Sequence, residues 1–414
     1  TLQNLQFLFL QFIKIILLVL LNTFCFTALA KEERDETNFF VLSDIHFDPF
    51  ISCQKNNRPC PLIQELIKAP VTSWKQIFLR YDSKDPEYRQ DTNYGLLKST
   101  LRKGKELVSQ EHPQFVLVLG DLLGHDFREY YSSFSKDATS TGYEQFVRKL
   151  NQFLARELNE AFPLIDIYQV IGNNDSYLGD YYQIPRAKFF NDVKTTWLGL
   201  IRNKENRKNL ASTFRQGGYY HVIIPRQSLR IILLNSVLFS ANARGPSIDQ
   251  AAMAELKWLE LELKAAQTHH QKVLIAMHIP PGIDVYATLR IRLFRLVELW
   301  KTKYSQIFQS LLQKYASEIS GVLAGHLHSD WFQILTFGPN KLEVPITGVP
   351  AVSPIFGNNP GFKRYTYSAK NFQLIDFVTF YYPIKTKRIW ETEYNFSKVY
   401  LPNCCNVISQ RGYI

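Results

Sequence analysis

Five short apolar runs in this chain each end in a cluster of glycine, histidine, aspartate or asparagine, and no other feature restricts the possible fold as much. Asn38 to Leu42 runs into "SDIHFDP", Phe115 to Leu119 into "GDLLGHD", and Leu164 to Ile171 into "GNND". Further on, Lys272 to Met277 precedes "HIPPG" and Ile319 to Ala324 precedes "GHLHSD". Short apolar runs bounded by turn formers read as strands. Between several of them apolar residues recur at three-to-four spacing, roughly over Tyr94 to Ser109, Tyr143 to Glu160, Ile248 to Gln267 and Ile291 to Tyr315, which predicts helices. Alternating strand and helix predicts an α/β fold, in which ligands gather outside the carboxyl ends of strands. The five polar loops are therefore expected to converge on one site. "GGYYHVII" and "LRIILLN" around Pro225 predict a hairpin between Arg215 and Asn235, and Asn371 to Tyr382 is a further β-rich stretch, so a second sheet is expected.

The first thirty residues stand apart. Lys14 precedes the run Ile15 to Leu21, and Ala28-Leu29-Ala30 then meets Lys31-Glu32-Glu33-Arg34, the layout of a secretory signal with a small-residue cleavage site. An uncleaved anchor is the rival reading, but Gln11 and Lys14 interrupt the apolar stretch, which falls short of ~20 clean residues. The expectation is a signal peptide over 1–30, a short exposed segment over 31–37, and a single domain over 38–414 with a C-terminal extension from about 366. The product would be secreted or periplasmic, with no stable transmembrane anchor. The formal net charge of +11 falls to +10 without Lys14, which favours anionic partners; a phosphate-bearing substrate or a membrane surface fits as well as nucleic acid, and no nucleic-acid-binding module is evident. Nothing in the sequence specifies an oligomeric state.

Cys25 would leave with the signal, and Cys53, Cys60, Cys404 and Cys405 would remain in an oxidising compartment. Cys53 with Cys60 is the easiest pairing, closing the polar loop "CQKNNRPC". Cys404 and Cys405 are adjacent and either form a vicinal bridge or pair elsewhere. None of the four has the C-x-x-C spacing of a zinc ribbon.

The strand-end loops together offer Asp44 and His46, Asp121 with His125, Asn173, His278, and His326 with His328. A single strand-end histidine is more often a hydrogen-bonded loop residue than a ligand, but five loops supplying nitrogen and oxygen donors at the same topological position are not explained that way. In Asp44-Ile45-His46 and His326-Leu327-His328, positions i and i+2 are expected to project to one side with an apolar residue turned away. Seven ligands are too many for one metal and suit two metals about 4 Å apart that share a carboxylate, an arrangement that clamps the attacking and leaving oxygens of a phosphoryl displacement.

The series "DIH", "GDLLGHD", "GNND", His278 and "GHLH", from Asp44 to His328, resembles the calcineurin-like metallophosphoesterases. Within them, "GDLLGHD" is similar to the acid-sphingomyelinase-like phosphodiesterase branch, as is "VPAVSPIFGNNPGFKRY" at 349–365. The resemblance implies two packed mixed β-sheets flanked by helices in a four-layer sandwich, with two divalent metal ions. Carried over by position, one metal would take Asp44, His46, Asp121 and His328, and the other Asp121, Asn173, His278 and His326. A ligand set without thiolate suits zinc and is compatible with manganese or iron.

The commoner form of the third motif has histidine where this chain has Asn174. Asparagine supplies no proton but can donate a hydrogen bond to a phosphoryl oxygen, which leaves His125 as the evident general acid. The resemblance therefore implies an exported phosphoesterase hydrolysing a soluble phosphodiester, a nucleotide or a sphingomyelin-like head group, with a metal-bridging hydroxide attacking phosphorus and His125 protonating the leaving oxygen. "GNND" also resembles the endopolyphosphatase-like branch, so a phosphoanhydride hydrolase is one alternative and a non-catalytic, metal-dependent phosphate-binding protein is another. His221 reads as a packed sheet residue, His112 as a turn residue, and His269-His270 as a helix end. Asp126 and Asp175 read either as solvated loop carboxylates or as groups orienting their neighbours. Tyr130-Tyr131 and Tyr181-Tyr182 read as core or as a wall for substrate.

Overall fold

The computed structural model describes residues 36–53, 58–81, 85–137, 139–290, 295–339 and 341–401. The expected signal peptide over 1–30 and the Cys404-Cys405 pair lie outside them. Among the described residues the strands are β1 (Glu36–Leu42), β2 (Phe115–Val118), β3 (Asp166–Gln169), β4 (Tyr220–Ile223), β5 (Leu229–Leu233), β6 (Lys272–Ala276), β7 (Ile319–Ala324), β8 (Trp331–Phe337), β9 (Leu342–Gly348), β10 (Gly361–Ser368), β11 (Leu374–Tyr381) and β12 (Glu391–Asn395). They form two six-stranded sheets, ordered β12-β11-β10-β1-β2-β3 and β4-β5-β6-β7-β9-β8. Both are mixed. β1, β2 and β3 run parallel with β10 antiparallel to β1; β5, β6, β7 and β9 run parallel, with antiparallel β4 and β8 at the edges.

The central parallel strands carry apolar side chains on both faces because both faces are covered: every residue of β2, β5 and β7 is buried. The covering helices include Tyr94–Glu111, Ser140–Ala161, Ile248–Thr268 and Thr302–Lys314. The first begins where the Asn93 side chain accepts from the Leu96 N–H and ends at His112 in the left-handed region, so His112 is a helix cap. Between the sheets the aromatics pack as core: Phe39 stacks on Phe115 at 4.6 Å and on Tyr365 at 5.2 Å between ring centroids. Two buried tyrosines fix one sheet against the other. The Tyr220 hydroxyl on β4 donates to the Gln169 carbonyl on β3 at 2.9 Å and accepts from its N–H at 3.0 Å, and the Tyr365 hydroxyl on β10 meets Thr347 Oγ1 on β9 at 2.7 Å.

The hairpin around Pro225 forms as β4 and β5, and Cys53 is bonded to Cys60. β10, which straddles residue 366, pairs directly with β1, and the segment beyond it adds β11 and β12 to the first sheet. The helix expected over Ile291 to Tyr315 is shorter, Thr302–Lys314, preceded by a separate turn of helix at Val285–Arg290; residues 291–294 lie outside the described residues. Between them Trp300 is buried and its indole N–H donates to the Ile279 carbonyl at 3.0 Å, which anchors the non-helical segment ahead of Thr302. No helix of the described residues is long and apolar enough to cross a membrane.

Candidate metal centre

The strand-end loops deliver donors from both sheets to one place. Asp44 and His46 follow β1, Asp121 follows β2 and Asn173 follows β3, while His278 follows β6 and His326 and His328 follow β7. Five of these seven have left-handed backbones: Asp44 at φ 50°, His46 at 41°, Asp121 at 52°, His326 at 68° and His328 at 54°. Residues other than glycine rarely adopt this conformation, and its concentration here marks a site that the surrounding fold holds under constraint. The shared direction of the i and i+2 side chains thus comes from left-handed turns, not from strand alternation. Two glycines make room. A Cβ on Gly172 would stand 2.1 Å from the Asp121 N and Oδ1, and one on Gly325 would stand 2.1 Å from Ser43 Oγ and 2.8 Å from Asp44 Oδ2.

The first cluster comprises Asp44, His46, His328 and Asp121. His46 Nδ1 donates to the Leu123 carbonyl at 3.0 Å, so that in the neutral ring the lone pair lies on Nε2. That Nε2 lies 3.2 Å from His328 Nε2, 3.3 Å from Asp121 Oδ2 and 3.8 Å from Asp44 Oδ1, and His328 Nε2 lies 3.3 Å from the same Asp44 oxygen. Around a tetrahedral cation with bonds of about 2.0–2.1 Å, donors stand about 3.3 Å apart, so these separations fit a divalent ion. Two facing imidazole nitrogens and two carboxylate oxygens at such range repel one another unless positive charge lies between them.

The second cluster shares a member with the first. Asp121 Oδ2 is also 3.3 Å from His278 Nε2, which in turn is 2.9 Å from Asn173 Oδ1. His278 Nδ1 donates to the Leu119 carbonyl at 2.7 Å, again leaving Nε2 free. Asn173 Nδ2 donates to Asp180 Oδ1 at 2.6 Å, which turns its oxygen towards His278. The His326 ring stands 5.1 Å from that of His278 between centroids, and its Nε2 meets the Tyr181 hydroxyl at 3.3 Å. Asp180 and Tyr181 therefore orient ligands from behind, as carboxylates and hydroxyls around metal sites commonly do; Tyr182 lines the adjoining cavity instead.

The field of the carboxylates is strong. Burial opposes a charge on His46 and His278, yet Asp121 and Asp44 beside them raise His46 to about 10 and His278 to about 9. Burial and the charge of His278 push His326 down to about 3. Asp44 and Asp121 are buried, which resists their ionisation, and the surrounding imidazoles nevertheless hold both well below the usual carboxylate range. The site demands positive charge, from protons or from metal.

His125 sits directly over the first cluster, its ring stacked on that of His46 at 4.2 Å. Its Nδ1 lies 3.1 Å from both oxygens of Asp91, and its backbone N–H donates to Asp91 Oδ2 at 2.7 Å. Asp91 is itself fixed by the Ser353 hydroxyl at 2.9 Å. Burial works against its charge, but the bond from His125 and the neighbouring imidazoles hold its carboxyl below the ordinary range. Sequence reasoning missed Asp91, which belongs to none of the five strand ends. Phe356 covers the mouth, edge-on to His328 at 4.7 Å and His125 at 5.8 Å.

Asn174 is turned inward. Its side-chain amide donates to Asp121 Oδ2 at 2.9 Å and its backbone N–H to Asp121 Oδ1 at 2.8 Å. Asp175 is buried and clasps two loops, accepting from Gly172 N–H at 2.9 Å through one oxygen and from Leu122 and Leu123 N–H at 2.9 and 3.3 Å through the other. A cavity of about 210 Å³ opens beside the centre between Asn174, Asp180, Tyr143, Tyr182, Arg128 and Arg244. Away from the centre, His221 pairs with Glu262 at 3.1 Å, Tyr131 is buried, and Tyr130 packs towards Phe50.

Two mixed sheets presenting a histidine and carboxylate cluster at their strand ends define the class, an α/β domain with a candidate metal centre in which Asp121 is common to both clusters. The chain belongs to the calcineurin-like phosphoesterase family, whose profile matches residues 37–330, and that family uses two divalent metals. It is 27% identical over 323 residues to sphingomyelinase phosphodiesterase D of Dictyostelium discoideum, covering 76% of this chain and 66% of that protein. It is 28% identical over 264 residues to cyclic GMP-AMP phosphodiesterase SMPDL3A of Homo sapiens, covering 59% of this chain and 54% of that protein. The chain thus spans between about half and two thirds of the length of these curated relatives. Among solved structures, a dimetal phosphatase from Danio rerio superposes with a TM-score of 0.47 at 14% identity, over 86% of this chain and 98% of the other.

Proposed function

We propose that this chain is an exported phosphodiesterase working through two divalent cations, zinc being the metal its donor set suits best. The observation that carries the reading is the position of Asp121 Oδ2, 3.3 Å from His46 Nε2 in one cluster and 3.3 Å from His278 Nε2 in the other. Asp44, His46, Asp121 and His328 would hold one cation, and Asp121, Asn173, His278 and His326 the second. When bound, the pair supplies Lewis-acid activation of water and charge neutralisation at phosphorus. The chain's own groups supply the rest. His125, held at Nδ1 by Asp91, would serve through Nε2 as the general acid for the leaving oxygen. Asn174 holds Asp121 in its bridging orientation through two hydrogen bonds. Arg128 and Arg244 in the adjoining cavity give an anionic part of the substrate a place to bind.

The names of the relatives, sphingomyelinase phosphodiesterase and cyclic GMP-AMP phosphodiesterase, support a phosphodiester substrate, whether a soluble diester, a nucleotide or a sphingomyelin-like head group. Export is supported by the signal-like sequence of residues 1–30 and by the Cys53–Cys60 bond. The phosphoanhydride alternative draws on the "GNND" motif and on the basic charge, and cleavage of polyphosphate against a diester separates the two.

The test is hydrolysis of bis-nitrophenyl phosphate and of polyphosphate, before and after chelation and with metal added back. Diester cleavage lost on chelation and restored by metal is expected. Chain-shortening of polyphosphate alone would replace the reading with an anhydride hydrolase, and no hydrolysis with metals bound would leave a phosphate-binding protein. Asp121→Ala should lower metal at both sites; retention of two metals per chain would overturn the shared-carboxylate assignment.

A further inference from the structure

The loop that follows β9 returns to the candidate metal centre and leaves one aromatic ring there. Phe356 is 64% exposed, and its ring stands nearly perpendicular to those of His328 and His125 at 4.7 and 5.8 Å between centroids. The two imidazoles are 6.3 Å apart, so the three rings form a triangle beside the first cluster. A single exposed apolar residue needs no explanation by itself, but this one is held in place. Gly357 N–H donates to the Pro354 carbonyl at 3.0 Å, closing a turn around Ile355 and Phe356, and Gly357 lies at a φ of 86° that glycine adopts without strain. The Asn358 side-chain amide donates to the Ser353 carbonyl at 3.0 Å, and Arg89 N–H donates to the Pro354 carbonyl at 3.0 Å. Ser353, at the base of the turn, is the residue whose hydroxyl donates to Asp91, and Asp91 holds His125 at Nδ1. One hydrogen-bonded frame therefore fixes both the imidazole and the phenyl ring.

An oxygen that takes a proton from His125 must come within about 3 Å of Nε2, since Nδ1 is occupied by Asp91. The carbon bonded to that oxygen then enters the space beside the triangle, where a group attached to it meets the phenyl ring. Phe356 lies outside the apolar core, and its ring neighbours among the described residues are the two imidazoles. A long alkyl chain would need apolar surface continuing beyond one side chain. A single ring covers one flat group, and gains the added attraction of ring against ring when that group is aromatic.

We propose that Phe356 determines specificity for the leaving alcohol, selecting one that carries an aromatic group close to the departing oxygen. This rests on the phosphodiesterase reading with His125 as the acid, and the substrate class is then a diester of an aryl-bearing alcohol.

The experiment compares kcat/KM of the metal-loaded chain on two pairs of diesters. In the first pair methyl phosphate is esterified to phenol or to 2-naphthol, so that the leaving alcohol gains one fused ring at similar acidity. In the second the leaving group is 4-nitrophenol throughout and the retained group is methyl or benzyl. The wild type should prefer the naphthyl over the phenyl leaving group by about two- to tenfold. Phe356→Ala should abolish that preference and Phe356→Tyr should keep it, while the methyl-to-benzyl ratio stays the same in all three. Metal content and melting temperature report whether each variant is intact at His328, and Phe356→Leu, which keeps apolar volume without the ring, keeps the test open if Phe356→Ala is not. A naphthyl preference unchanged by loss of the ring would overturn the proposal and leave the phosphodiesterase reading standing. So would a change confined to the retained-group pair, which would put the ring on the other side of phosphorus. No hydrolysis of any of these esters by the metal-loaded wild type would overturn the phosphodiesterase reading, and the proposal with it.

Discussion

The side-chain amide of Asn174 donates to Asp121 Oδ2 over 2.9 Å, the same oxygen that faces His46 and His278. An asparagine in the "GNND" motif is thereby coupled to both donor clusters through one carboxylate. Asn174→Ala should therefore weaken metal binding at both sites, by ~10- to 100-fold as is usual when a ligand's orienting partner is lost. Metal titration of the stripped protein checks this. Activity at saturating metal should fall by a similar factor for alkyl and nitrophenyl diesters, because the lost bond does not involve the leaving group.

Asp180 predicts a contrasting result. Its bond to Asn173 Nδ2 serves only the second cluster. Asp180→Ala should reduce occupancy of one metal while leaving the other in place, whereas Asn174→Ala affects both. Two-step metal release in a chelator titration, with only the weaker step displaced in Asp180→Ala, is the expected outcome; equal displacement of both steps would contradict the division of ligands.

His125 and Asp91 should separate substrates by leaving group. His125→Ala is expected to cost ~10² to 10⁴ in turnover of an alkyl diester and much less for a nitrophenyl ester, whose leaving group departs without a proton. Asp91→Asn should show the same selectivity at smaller amplitude, since it frees the ring that the carboxylate holds by Nδ1. Turnover of both esters by both variants is the measurement. A uniform loss across leaving groups would remove His125 from the role of acid.

Lys363 gives a stability prediction far from the chemistry. It is fully buried, 2.6 Å from Asp330 and 3.8 Å from the Phe377 ring centroid. Burial pushes its ammonium down to about 8 despite Asp330. In the unfolded chain a lysine keeps its proton up to about pH 10.4, so between the two values the unfolded state binds more protons and this group's contribution to stability rises with pH. The full penalty applies below that window and disappears above it. Urea midpoints followed from neutral pH to about pH 10 should rise more in the wild type than in Lys363→Met. The difference isolates this group from the buried tyrosines that also titrate at the alkaline end.

Much of the fold, and the residues that the structure gathers at the strand ends, were legible in the sequence, because a strand buried on both faces must be written as a run of apolar residues and must end where polar residues resume. β2 and β7 were found this way, and so were Asp44, Asp121, His278 and His326, which the packing of the two sheets then brings together. The same local signal failed between Ile291 and Tyr315, where apolar spacing was read as one long helix. Periodicity records which residues share a face; whether that face meets core or solvent depends on what packs against it, and around Leu289 nothing in the described structure does. Asp91, Asp180 and Tyr181 were beyond reach for a related reason. Asp91 meets His125 from 34 positions away and Tyr181 meets His326 across 145. The sequence determined by itself which strand ends carry donor atoms, since burial and turn chemistry act over a few neighbouring residues. Only the tertiary structure decided which side chain supports which donor, because two sheets pinned through Tyr220 and Tyr365 set those distances and hydrogen bonds depend on distances within a fraction of an ångström.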